Sequence, residues 1–139
     1  MSSLSLCTEE VKPLVEKLCT RFPDNLSEIE PHRIVYLRGN GKRRPVTISA
    51  IRSPYDLFVN YKFLLTIHGP RYDTLDDDRK AIALFDELLR IKDFENGSLK
   101  AHSVVGNMET LTTWGIDWME AESVAPVFTK VAKDSKKAL

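Results

Sequence analysis

Two carboxylates, a guanidinium and an imidazole are the groups of this 139-residue chain whose spacing could do chemistry: Asp86, Glu87, Arg90 and His102. Carboxylates and imidazole are donor types for a divalent cation, so Asp86, Glu87 and His102 form one candidate set for a hard metal ion. Arg90 works against that set. Its guanidinium carries a permanent positive charge and offers no lone pair to a metal. On a helix, Asp86 and Arg90 sit on adjacent turns with the acid N-terminal to the base, the better orientation for an ion pair. The spacing therefore predicts Asp86 bound to Arg90, with Glu87 a solvated acid within reach of the same cation. His102 could hydrogen-bond either carboxylate and complete a polar network.

Three consecutive cations, Lys42, Arg43 and Arg44, make a second cluster. As a solvated turn they would discourage edge-to-edge strand pairing. As a functional patch they would meet a phosphate or an acidic partner. His32 reads as a loop residue and His68 as a strand-end residue. Trp114 and Trp118 read as buried or half-buried anchors. Cys7 and Cys19 have no local group to activate a thiolate. They lie twelve residues apart, roughly 18 Å along a continuous helix and too far for a disulfide.

The stretch that carries Asp86, Glu87 and Arg90 must be a helix. At 100° per residue, Ala81, Ile82, Leu84, Phe85, Leu88, Leu89 and Ile91 cover about half its circumference. Thr74 followed by Asp77 resembles a capping box, with Asp76, Asp77 and Asp78 complementing the dipole, so the helix is expected from there to about Lys92. Upstream, Val11, Leu14, Val15, Leu18 and Phe22 mark a first helix, with Pro13 placing its start near Glu10 or Val11. Arg33–Arg38 and Val46–Ile51 read as strands, and Asn40-Gly41 between them is a tight-turn signal, giving an expected hairpin over 33–52. Tyr61–His68, apolar on both faces, reads as a buried third strand. A short helical turn is allowed within 55–60. Asp93–Gly97 is a turn. Val104, Val105, Met108 and Leu111 recur at helical spacing up to Gly115, and Val124, Val127, Phe128 and Val131 mark a last amphipathic helix running into a lysine-rich end. This order gives an α+β fold, one domain over 1–139 with its core at about 8–118 and an amphipathic, basic tail over 120–139.

Composition bounds the function. The chain is 42% hydrophobic and 29% charged with zero formal net charge. Zero net charge argues against generalised binding to nucleic acid or an anionic membrane, which needs an excess of Lys and Arg. No apolar run approaches the roughly 18 residues of a membrane span. The N-terminus lacks the basic and apolar regions of a signal peptide. Two unpaired thiols fit a reducing cytoplasm.

Residues 61–118 carry an ordered set of motifs. Tyr72-Asp73-Thr74-Leu75 follows the apolar strand, then Arg79-Lys80-Ala81 and Leu84-Phe85-Asp86-Glu87-Leu88-Leu89-Arg90-Ile91. Gly97-Ser98-Leu99-Lys100 precedes His102, and Gly115-Ile116-Asp117-Trp118 closes the run. This set resembles the phage-type metallopeptidase family, minimal zincin-like proteins with an HExxH helix, a third His, and a terminal Gly-x-x-Trp. The resemblance implies a zincin-like fold, with zinc as the family's cofactor. It also places Asp86 and Arg90 where the family has the two His of HExxH, Glu87 at the water-activating Glu, and His102 at the third ligand. Ser103, Gly106 and Asn107 depart from the pattern that follows the third His.

With Glu87 and His102 alone matching the family's constellation, no cofactor is expected to be retained. The expected function is an inactive metallopeptidase homologue that binds a host or viral protein. Two alternatives stay open: an active metal-dependent hydrolase with a non-standard site in which Glu87 is catalytic, and a nucleic-acid-associated regulator using Lys42, Arg43, Arg44 and the lysine-rich tail.

Overall fold

The computed structural model describes residues 4–52, 59–100 and Val127. Within them the order is β1 (Ser5–Leu6), α1 (Thr8–Arg21), a 3-10 turn (Pro31–Arg33), β2 (Ile34–Gly39), β3 (Val46–Ala50), β4 (Phe63–His68), α2 (Gly69–Tyr72), α3 (Asp77–Leu88), β5 (Ile91–Asp93) and β6 (Ser98–Leu99). The fold is α+β, as expected. The helices predicted over 104–115 and from 123 onward, with His102, Trp114 and Trp118, lie outside the described residues. So does most of the 55–60 stretch.

β4 runs through the middle of a four-stranded sheet of order β1-β2-β4-β3. It pairs parallel with β2 and antiparallel with β3. This corrects the expected hairpin: both strands exist, but β4 lies between them. A two-residue turn at Asn40-Gly41 would have put Lys42, Arg43, Arg44 and Pro45 into the returning strand, where like charges repel and proline has no N–H to give. Residues 40–45 instead cross the end of β4, spanning two strand spacings, about 10 Å. β4 takes the centre because it is the most apolar strand and needs a partner on both sides. The sheet also has a strand more than expected, the short antiparallel β1.

One face of the sheet makes the core. Ile34 and Tyr36 from β2, Val46 and Ile48 from β3, and Phe63, Leu65 and Ile67 from β4 are buried in strict alternation, as a period of two requires. Val11, Val15 and Leu18 of α1 meet Ala81, Ile82, Leu84, Phe85 and Leu88 of α3 over that face. Phe22 stacks on Phe85 with ring centroids 4.5 Å apart. α1 begins at Thr8 and keeps Pro13 inside it, earlier than Pro13 had implied. Val127, expected on an apolar face, is 1% exposed; its N–H donates to Asp78 and its C=O accepts from Arg21.

α3 is capped by Asp76, whose Oδ1 accepts from the Arg79 N–H at 2.9 Å. Thr74, read as the cap, instead donates its hydroxyl to the Arg71 carbonyl in the preceding turn. The helix stops at Leu88, earlier than expected. Leu89 and Arg90 turn the chain into the β5–β6 hairpin, whose bend sits at Gly97 with φ +68°.

A candidate site between the basic loop and the central helix

The early end of α3 changes the geometry of its charged residues. Arg90 lies past the helix, in the turn, and its Nη1 donates to Glu87 Oε2 at 3.0 Å. The expected Asp86–Arg90 pair is therefore corrected. The described carboxylate that Arg90 grips is Glu87, three positions back, because the chain leaves the helix before the next turn is complete. Glu87 is not solvated either. It is 3% exposed, the one buried charged residue among the described residues.

Burial brings Glu87 against β3. Residues 45, 47, 49 and 51 face β4, as the His68 N–H to Pro45 and Ile51 N–H to Lys62 bonds mark. The alternating residues of an antiparallel edge strand turn their N–H and C=O outward. Ile48 is one of them. Its N–H donates to Glu87 Oε2 at 3.1 Å, and its C=O lies 3.5 Å from Arg90 Nη1. Arg90 Nε also donates to the Lys100 carbonyl at 2.9 Å. The end of α3, the open edge of β3 and the chain after β6 are thus tied through one ion pair. Burial pushes the Glu87 carboxyl above its ordinary range; Arg90, the Ile48 N–H and the charge of Arg44 pull it back without offsetting the desolvation.

The basic loop is fixed by His68. The Gly41 N–H donates to His68 Nδ1 at 3.1 Å, and the Pro45 carbonyl accepts from the His68 N–H at 2.8 Å. With Nδ1 accepting, the ring proton sits on Nε2, 3.0 Å from Thr47 Oγ1. Burial lowers the pKa of this imidazole. A Cβ at position 41 would stand 2.8 Å from His68 Nδ1, so the loop needs glycine there. His68 is at a strand end, as read. Its role as the loop's anchor, and that of Ile48 as a partner of Glu87, had no signal in the sequence, since both depend on which strands are neighbours.

Lys42, Arg43 and Arg44 are exposed and face a cavity of about 650 Å³ whose far wall is Asp86 and Glu87. The basic cluster and the two carboxylates of the other cluster therefore share one cavity, while Arg90 lines a different one with Ile48 and Leu99. His102 lies outside the described residues.

The family model "Putative phage metallopeptidase" matches residues 5–125. The chain belongs to the phage metallopeptidase family. No curated protein and no solved structure matches the chain.

A family of that description implies a metal. Catalytic zinc takes three protein ligands and keeps a fourth position open. Here Glu87 Oε2 already accepts from Arg90 and from Ile48. Arg90 brings a cation where a ligand is needed. Among the described residues no three His, Cys, Asp or Glu converge as a metal site. The described donors do not fit zinc. What they make is a clasp: a buried carboxylate that neutralises a guanidinium and satisfies a strand edge.

Proposed function

We propose that this member of the family is a catalytically inactive, zincin-like homologue of phage or mobile-element type, acting as an accessory factor that binds a host or viral protein. The observation that carries the reading is the bond between Arg90 Nη1 and Glu87 Oε2 at 3.0 Å, in a carboxylate 3% exposed. A general base must reach the proton it removes. Glu87 is instead held by two donors and covered. Asp86 and Arg90 stand where the resemblance puts the HExxH histidines, and neither is an imidazole. The free thiols Cys7 and Cys19 support action in a reducing compartment such as the cytoplasm.

Metal analysis tests the reading. Protein purified without chelator is expected to hold far less than one zinc per chain and to leave unfolded casein uncut. Stoichiometric zinc that disappears in His102→Ala, together with cleavage, would overturn it in favour of a hydrolase with an unusual site.

A further inference from the structure

The cavity between the basic loop and α3 has a charge pattern that the clasp does not use. Arg33, Arg38, Arg79 and Arg90 are each paired with a carboxylate. Among the described residues, Lys42, Arg43 and Arg44 make no ion pair. Three adjacent like charges repel one another and gain nothing in folding, yet they stand on a loop held at both ends by His68. Their direction is not arbitrary, since all three line the same cavity. The charge of Arg44 is felt by Glu87 across it.

We propose that this cavity is a docking site for an extended, acidic stretch of a partner protein, its carboxylates meeting Lys42, Arg43 and Arg44 and its main-chain N–H groups meeting Asp86. The far wall selects this class of ligand. Asp86 lines it, and a carboxylate has lone pairs enough to take a further N–H beside the contact it already makes, while it repels anions. A phosphodiester chain is drawn to the three cations but carries a charge at every residue and no backbone donor, so where it passes Asp86 it meets repulsion without a hydrogen bond in return. A peptide has an N–H at nearly every residue, and its carboxylates are set away from the main chain. The zero net charge of the protein leaves the attraction local to this loop.

The inference deepens the reading of the chain as a protein-binding factor and rests on it. Fluorescence anisotropy tests it with a labelled decapeptide of alternating Glu and Ser, against a labelled oligothymidylate of equal charge. The peptide is expected to bind more tightly, to weaken with added salt, and to lose about tenfold or more in affinity when Lys42, Arg43 and Arg44 are all changed to Ser. Circular dichroism of that variant is expected to be unaltered, since the three side chains are exposed. Asp86→Asn then separates the cavity from simple surface charge. It is expected to narrow the gap between peptide and oligonucleotide by raising oligonucleotide affinity while changing peptide affinity little. Equal or tighter oligonucleotide binding by the unaltered protein, binding that survives loss of the three cations, or an unchanged ratio in Asp86→Asn would overturn the proposal. Those outcomes in a zinc-free, inactive protein sink the docking site alone; stoichiometric zinc with cleavage sinks the reading beneath it.

Discussion

The N–H of Ile48, on the outer edge of β3, donates to the carboxylate of Glu87, on the last turn of α3, at 3.1 Å. A helix side chain thereby occupies a main-chain position that edge strands usually leave to water or to another strand. Arg90 makes the arrangement tolerable by neutralising the buried charge.

Removing Arg90 tests that dependence. Arg90→Ala leaves a carboxylate buried without its cation, a change that typically costs roughly 3 kcal/mol or more. For a chain of this size, thermal unfolding is expected roughly 10 °C lower. An unchanged midpoint by scanning calorimetry would remove the clasp from the account of stability.

The raised pKa of Glu87 gives a pH dependence of definite sign. Below the ordinary value of 4.5 the carboxyl is protonated in the folded and unfolded chains alike. Above it the unfolded chain releases the proton first, so the folded chain holds more protons and this group's contribution to stability falls as pH rises through the shifted value. In Glu87→Gln that fall is expected to vanish, while the amide still accepts from Ile48. Urea titrations of both proteins from pH 4 upward compare the slopes.

His68 has the opposite sign. Its pKa is lowered below 6.5 by burial, so the unfolded chain binds a proton first as pH falls and stability is lost below that value. Protonating Nδ1 also removes the acceptor for the Gly41 N–H. Nitrogen NMR is expected to show the Nε2-protonated tautomer at neutral pH, with the Gly41 amide shifting along the same titration as the ring. A Gly41 amide indifferent to His68 protonation would break the link.

Cys7 and Cys19 are pushed up to about 11, chiefly by burial, with Glu10 and Glu16 respectively adding to it. At pH 8 little thiolate is present, so alkylation of the folded protein by iodoacetamide is expected to be at least about tenfold slower than in urea. Fast labelling at either position would contradict the packing around α1.

What could be read from sequence followed from local physics. The stripe of α1 and the apolar face of α3 are periodic, and Phe63, Leu65 and Ile67 alternate as a buried strand must. The sheet order was not legible, because Asn40-Gly41 signals a tight turn whatever strand the returning chain meets, and nothing local tells that β4 enters between β2 and β3. The charged residues failed in the same way. The i,i+4 rule matched Asp86 to Arg90, but Leu88 ends the helix and the edge of β3 draws Glu87 inward. The basic loop and the α3 carboxylates were each visible alone. Their meeting across one cavity depends on residues 40–45 crossing the end of β4.

That crossing has a consequence for synthesis. β2 and β3 emerge from the ribosome before the strand that joins them, so neither can form its native pairing with β4 until that strand has been made. A chain that stops before Phe63 has the segments of α1, β2 and β3 but lacks the strand that both β2 and β3 pair with. The sheet can close only when β4 arrives from a distance in sequence, with α3 following it in the chain. A fragment truncated before β4 would have two strand edges without their native partner, ready to capture a neighbour instead.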